Sequence, residues 1–537
     1  MDPENKDSVP IEKEHGWLYW LVRNSITRFQ GWSGRHRKAA FILMATVIWL
    51  TFVFRAYWQP YIVIARVHSP ECISVLIIGW AFCAAWVRRK WKLVFAVIAI
   101  ATIGVVSHLE MELPPLRYIT LYLRYHSMKP TFITTLPTTD HERIQPLNSI
   151  RVLGGEAMKE VERVSTPDFV RIVNNGKEEF RWSMAIEPAY SIPSFFGHIK
   201  EIMDVSGLAA SPNFSGQNRV PVSFRVGEDL LMGKNTDVST IRSLGLLRFF
   251  SCSPRDIKFI QDDNGNWIEV VSLIHWKGLI FVWPEFGGVQ VIRQGDDTLW
   301  AMIKSWFVGD GEWISPADIH KHPFLLRQNN LPYEVSRYAA ASLRFQAGFF
   351  SPMPLYHKGD IRIPDLPSDE NDQPFTAFFR FEREGSPENK LYHYFALEPY
   401  HDTKQGLNTS MFVPADGIGP MRVYQHYKIN EALTGVSAIP PKVMESRKQY
   451  DWEQSRPVEN RPWVRDIDGK RRFFWLTTVV TYKDKKHAGQ KGFIAGSTPD
   501  LTLTDALYKN VVWVNPHDVT SWEGTVRSNL SVVWKSN

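Results

Sequence analysis

Cysteine is the scarcest reactive residue in this 537-residue chain, with three in all. Cys72 and Cys83 fall in an apolar segment, which leaves Cys252 alone in the large remainder. That remainder holds no internal disulfide and no thiolate zinc site, whatever its compartment. Several catalytic signatures are missing as well. There is no His-Glu-x-x-His pair and no Gly-x-Ser-x-Gly elbow; "GVSAI" at Gly435 lacks the closing glycine. "GEDLLMGKNT" from Gly227 has one residue too many between its glycines, and Asn235 follows the lysine where Ser or Thr belongs, so no nucleotide cofactor is expected. A strong excess of one charge is also absent. The net charge of +6 gives no reason to expect a nucleic-acid partner. With 22% charged and 44% hydrophobic residues, wholesale disorder is excluded, and the length suits two or three domains.

Tryptophan, by contrast, is abundant at 21 residues, and apolar runs crowd the first hundred positions. Three are read as membrane spans: 39–58, 72–87 and 93–107. A span needs roughly 20 apolar residues, and the two shorter runs are flanked by residues suited to headgroups. Trp86 and Trp91 are the expected interfacial anchors. "GWLYWLVRNSITRFQGW" ahead of the first run places Leu18, Leu21, Val22, Ile26 and Phe29 on one helical stripe, the pattern of an interfacial helix. Cations set the orientation. Arg35, Arg37 and Lys38 precede the first run, and Arg88, Arg89, Lys90 and Lys92 separate the second from the third. The positive-inside rule puts both groups in the cytoplasm and everything after Ser107 in the periplasm or outside the cell.

The expected organisation follows. Residues 1–38 form a cytoplasmic tail, 39–108 a membrane region and 109–145 an extended tether rich in Thr and Pro. Residues 146–295 form a first β-rich lobe, 296–346 a helical connector and 347–537 a second β-rich lobe. The fold class is membrane-anchored α+β or mainly β, with antiparallel sheets. Short alternating or β-branched runs predict strands at Arg219–Val226, Gly265–Trp276, Gly278–Trp283, Thr376–Glu382, Lys390–Glu398, Arg471–Tyr482 and Asn510–Asn515. "DDNGNW" predicts a hairpin turn. Helices are expected at Asp296–Phe307, Pro332–Gln346 and Pro440–Ser455. "EFRWSMAIEP" (Glu179–Pro188) is similar to "KLYHYFALEP" (Lys390–Pro399), which suggests two related lobes.

Candidate ligand groups are few. Asp318, His320 and His322 share one short stretch, and His393, Glu398, His401 and Asp402 share another. Pro323 and Pro399 argue against a strand that would align either set, so no metal is expected. Asp369, Glu370, Asn371 and Asp372 lack the spacing of a calcium loop. Catalytic residues are not assigned, and no cofactor is expected.

Three functions remain, in this order. The first is a structural or assembly component of a larger membrane complex, meeting lipid, other envelope proteins or further copies of itself. The second is an exported hydrolase or transferase acting on envelope polymer, for which two carboxylates in one cleft would be the mark. The third is a sensor that needs a signalling partner, since the cytoplasmic tail carries no output domain.

Overall fold

The computed structural model describes residues 37–69, 78–84, 91–98, 115–174, 177–189, 197–214, 218–295, 298–351, 357, 359–366, 372–382, 388–401, 405–429, 432–487, 490–495 and 498–536. The chain divides into two units, 1–58 and 59–537. The first contains helix α1 (Arg37–Val53), apolar and exposed from Phe41 to Phe52, with Val53 buried. Helix α2 (Arg55–Val67) follows after a break at Phe54 and carries Pro60. The expected span over 39–58 is therefore interrupted. No single described helix is long and apolar enough to cross a membrane, although Phe41–Val53 and Arg55–Val67 pass together as a broken pair. The other two expected spans are helical at 78–84 and 91–98, and their remainders lie outside the described residues. Arg35, Trp86, Arg88, Arg89, Lys90 and the stripe from Leu18 to Phe29 also lie outside them. Arg37 and Lys38 belong to α1, while Lys92 and Trp91 are exposed.

Among the described residues, four sheets, antiparallel apart from one parallel edge pair, build the second unit. The first holds β3 (Glu162–Val164), β4 (Asp168–Asn174), β5 (Lys177–Pro188), β6 (Ile199–Ser206) and β7 (Arg219–Phe224), with β3 and β4 sharing one edge of β5. The second is the meander β8 (Cys252–Gln261), β9 (Trp267–Lys277), β10 (Trp283–Arg293) and β11 (Glu312–Ile314). The third centres on β13 (Phe375–Phe381), β14 (Glu388–Pro399), β15 (Thr409–Pro414) and β16 (Arg422–Gln425), with β12 (Ile361–Arg362) on β14. The fourth contains β17 (Ser455–Ile467), β18 (Lys470–His487), β20 (Asp500–Asp505) and β21 (Val511–Val514), with β19 (Gln490–Ala495) on the far end of β18.

Helices alternate with these sheets. Helix α4 (Leu147–Glu156) precedes the first sheet, and α5 (Thr236–Ser243) with α6 (Leu246–Phe249) separates it from the second. Helix α7 (Leu299–Val308) joins β10 to β11. Helix α8 (Tyr333–Ser342) precedes the third sheet, and α9 (Ile439–Ser446) separates it from the fourth. Helix α10 (Trp522–Ser536) closes the chain against β21.

Three expectations about local structure change. The stretch read as a tether contains helix α3 (Pro115–Met128), which packs on α8 and β10. It also supplies β1 (Thr131–Ile133), parallel to β16, and β2 (Thr138–Asp140), paired with β13. Of the apolar run Gly278–Trp283, residues 278–282 are a loop, and Trp283 opens β10. Gly278 has φ +103°, and a Cβ there would lie 2.0 Å from the Phe281 carbonyl oxygen, so the chain turns where a strand was expected. The helix beginning near Pro440 stops at Ser446, and β17 starts at Ser455.

The core is aromatic and joins the sheets in pairs. Val170, Ile202 and Phe224 of the first sheet share one cluster with Phe259, Ile268 and Val291 of the second. Phe379, Tyr394 and Phe412 of the third share another with Phe473, Trp475 and Val479 of the fourth. A further cluster ties Phe180 and Trp182 of the first sheet to Phe378 and Leu391 of the third. Trp182, Trp463, Trp475 and Trp522 are fully buried. Indole supplies a large apolar area with one polar atom, which explains how a tryptophan-rich chain fills so much core.

Candidate functional site

Asp168 starts β4 directly after Pro167, and its carboxyl lines a chamber of about 260 Å³ where the first, second and third sheets approach one another. Burial pushes this carboxyl up to about 7, although the Lys258 ammonium opposes the shift. At neutral pH it is therefore divided between acid and carboxylate.

Asp256 reaches the same chamber through an irregularity in β8. The register with β9 shifts between Arg255 and Ile257, and Asp256 has φ +29°. A bulge takes one side chain out of the strand's alternation. Here it turns Asp256 to the chamber while Ile257 stays in the core. Burial raises this carboxyl too, against the opposing Lys258 charge and the backbone N–H of Tyr333 that it accepts. Tyr333 is the first residue of α8, where the helix dipole favours an anion.

Lys258 is 1% exposed and lies within Coulombic reach of both acids. Its ammonium donates to the Asn329 backbone carbonyl. Burial lowers its pKa while the two carboxylates hold it up.

The Asn329 side chain connects the remaining groups. Its Nδ2 donates to the Tyr333 hydroxyl at 3.0 Å and to the Asp168 carboxyl. Its Oδ1 meets His393 Nε2 at 2.7 Å, so the imidazole carries its proton on Nε2. His393 Nδ1 lies 3.0 Å from Ser336 Oγ, whose hydroxyl also donates to the Tyr333 carbonyl at 2.9 Å. Burial lowers His393 to about 3, so this ring is neutral and bonds the Asn329 side chain. Burial, with help from Asp168 and Asp256, raises the Tyr333 phenol, which keeps its proton at neutral pH.

Outside the chamber runs a cleft of about 950 Å³. The two share Arg143, Leu147, Thr166, Pro167, Tyr333 and Thr376. Arg143 pairs with Glu459 and lies over Trp182, 5.2 Å from the ring centre. Arg151, Arg337 and Arg456 also line the cleft, and Arg337 pairs with Asp372 at 2.7 Å.

The Asp256 geometry occurs a second time. The β17 register shifts between Val458 and Arg461, and Glu459 has φ +48°. The Glu459 carboxylate accepts the N–H of Leu147, first residue of α4, at 2.9 Å. Two residues after each acid a buried cation, Lys258 or Arg461, donates to a backbone carbonyl. Those carbonyls belong to Asn329 and Arg143, each four residues ahead of the capped helix. Glu187 near the end of β5 likewise accepts the N–H groups of Glu228 and Asp229, and Glu398 near the end of β14 accepts the N–H and Oγ of Ser437. Asp168 pairs with Ser183, four residues before Glu187; Phe375 pairs with Tyr394, four before Glu398. Proline precedes both Asp168 and Phe375. One member of this correspondence is an acid and the other a phenylalanine.

The histidine groups do not converge. Of the second set, His393 is buried beside the chamber, Glu398 caps Ser437 and His401 is exposed, while Asp402 lies outside the described residues. Asp318 bonds Ser315 and Lys321, and His320 is exposed. Asp369, Glu370 and Asn371 lie outside the described residues. Among the described residues no three His, Cys, Asp or Glu side chains gather to hold a metal ion. In "GEDLLMGKNT" Lys234 is buried and donates to the Gly197 carbonyl at 2.9 Å, and Asn235 caps α5. Sequence reasoning missed Asp168, Asp256, Lys258 and Asn329. Its one available signal was Lys258, a charge between Ile257 and Phe259 in an apolar strand.

Compared with protein-family models, with curated proteins and with solved structures, the chain matches none.

Proposed function

We propose that this is a membrane-anchored protein whose aqueous body is a hydrolase or transferase acting on an envelope polymer, with Asp168 as its proton donor and acceptor. The observation that carries this reading is the pair of carboxyls, Asp168 and Asp256, on one chamber beside an open cleft. A carboxyl near 7 can give and take a proton at working pH. Tyr333 offers a second protonated donor, and Lys258 offsets the charge of the acids. The cleft is wide enough for a chain-like substrate, and its arginines suit an anionic one.

The reading includes two related lobes, as the matched acids, cations and capped helices suggest. Asp256 and Glu459 then share a helix-capping role, and Asp168, with Phe375 in the matching place, is the group peculiar to the first lobe. Purified full-length protein in detergent is expected to release reducing ends from one member of a polysaccharide panel. Asp168→Asn should lower that rate by about 10²-fold or more while leaving the fold intact. Unchanged turnover in the variant, or no turnover of any polymer, overturns the reading.

The membrane part rests on the apolar runs and on Arg35, Arg37, Lys38, Arg88, Arg89, Lys90 and Lys92 flanking them. A cysteine placed at Asp402, in a chain lacking the three native ones, should label from outside intact cells, and one at Arg89 should not. The opposite result would put the body in the cytoplasm.

A second reading, a non-catalytic brace for a membrane assembly binding other envelope proteins or further copies of itself, is favoured by α7. Its Trp300, Ile303 and Phe307 form an exposed apolar stripe at helical spacing.

A further inference from the structure

Among the most exposed large apolar side chains of the second unit are Leu247, Leu279 and Leu246, at 86%, 83% and 76%. They stand on two segments far apart in sequence. Leu246 and Leu247 open α6, and Phe250 follows it, also exposed. Leu279 and the exposed Ile280 lie in the loop between β9 and β10. The second half of α2 binds both segments. Gln59 Nε2 donates to the carbonyls of Phe249 at 2.9 Å and Cys252 at 2.7 Å. Arg66 donates to Phe250 O at 2.9 Å and to Gly278 O at 2.8 Å, and Ser69 Oγ donates to Ile280 O at 3.0 Å. This half of α2 exposes Tyr61 and Ile64.

Composition separates this surface from an ordinary apolar patch. The segments 59–69, 244–252 and 277–283 contain no Asp or Glu, and they carry Arg66, Arg248 and Lys277, the last paired with Glu285 of β10 at 3.2 Å. Exposed Leu, Ile, Phe and Tyr with interspersed cations and no acids is the pattern of a surface that enters the headgroup region of a bilayer.

We propose that α6 and the Gly278–Val282 loop dip into the leaflet at which α2 emerges, so that the body lies against an anionic lipid surface. The occupant is lipid, on the grounds of charge complementarity and of direct chain continuity with the apolar run ending at Trp58; the proposal rests on that run being membrane-embedded. Such seating would hold the cleft at a fixed height above the bilayer.

The test uses the full chain in nanodiscs of phosphatidylcholine and phosphatidylglycerol. Single cysteines replace Leu247, Leu279, Ala45 or Asp263, in a background without Cys72, Cys83 and Cys252, and each carries an environment-sensitive fluorophore. Lipids spin-labelled along the acyl chain are expected to quench the probes at 247, 279 and 45 by about half or more, and the probe at 263 hardly at all. Quenching at 45 without quenching at 247 and 279 overturns the docking surface and leaves the anchor standing. No quenching at any site overturns both. Cross-linking of 247 to its counterpart in a second chain, with no quenching, would replace lipid by a second copy and also overturns the proposal.

Discussion

Replacing Lys258 by methionine is expected to cost about 3–5 kcal/mol of folding free energy, and replacing Arg461 by methionine about the same. Methionine keeps the volume of either stem, so the loss measures charge and hydrogen bonding more than packing. In each case one substitution takes a buried cation away from a nearby acid and strips a helix-preceding carbonyl of its donor, although Glu459 keeps its pair with Arg143. Lys258 leaves Asp168, Asp256 and the Asn329 carbonyl; Arg461 leaves Glu459, at 3.8 Å, and the Arg143 carbonyl. Arg461 also loses its 2.9 Å bond to Thr478 Oγ1. Burial has already lowered the Arg461 guanidinium to about 10 and lowered Lys258 as well, so both cations are held against their own desolvation. The midpoint of denaturant unfolding should fall at unchanged slope in both variants. Adding Asp256→Asn to Lys258→Met should recover part of the loss, because the stranded charge is then removed. A loss below about 1 kcal/mol in either single variant would show that these cations do not hold the lobes together.

Asp168→Asn is expected to weaken the protein's response to alkali. A carboxyl raised in the folded state binds its proton more tightly there than in the unfolded chain. The stability this contributes is complete below the unfolded value of 3.8 and is lost as pH rises through about 7. For Asp168 the loss is on the order of 4 kcal/mol across that window. Glu187, pushed up to about 7 by burial, and Glu269, pushed well above its ordinary range by burial, add to the same trend. The melting temperature of the natural chain should therefore fall between pH 5 and pH 8, in the units of ordinary buffers. The Asn variant should fall less and melt higher at pH 8. It would thus be more stable and less active, the exchange expected where a site holds a group under strain. Parallel pH curves for the two proteins would mean that Asp168 is not held near 7, and the proton-transfer role would fall with it.

Much of the β-structure is legible in the chain because its cause is local. Alternation and β-branching mark the runs at Thr376, Lys390 and Arg471, and β13, β14 and β18 stand there. The turn at "DDNGNW" is visible for the same reason: Asp262 Oδ1 accepts the N–H groups of Asn264 and Asn266, and Gly265 supplies φ +81°. The likeness between Lys390–Pro399 and Glu179–Pro188 also came from sequence, and both stretches lie in twelve-residue strands ending in proline.

What was not legible depends on partners distant in sequence. β1 pairs Thr131 with Arg422, so a stretch with the composition of a tether is ordered by a strand nearly three hundred residues away. The run at Gly278 has the composition of a buried strand, but its neighbours are α2 and solvent, and hydrophobicity alone does not separate a core strand from an exposed loop. The chamber draws on β4, β8, α8 and β14 and on the loops ahead of two helices, and no short motif spans them. Asp256 enters it through a bulge, and bulges carry little sequence signal. Composition and local periodicity thus determined the sheet-rich class and the apolar amino-terminal region. Tertiary packing decided which acids are buried together, because desolvation and Coulombic coupling act through space and leave no period along the chain.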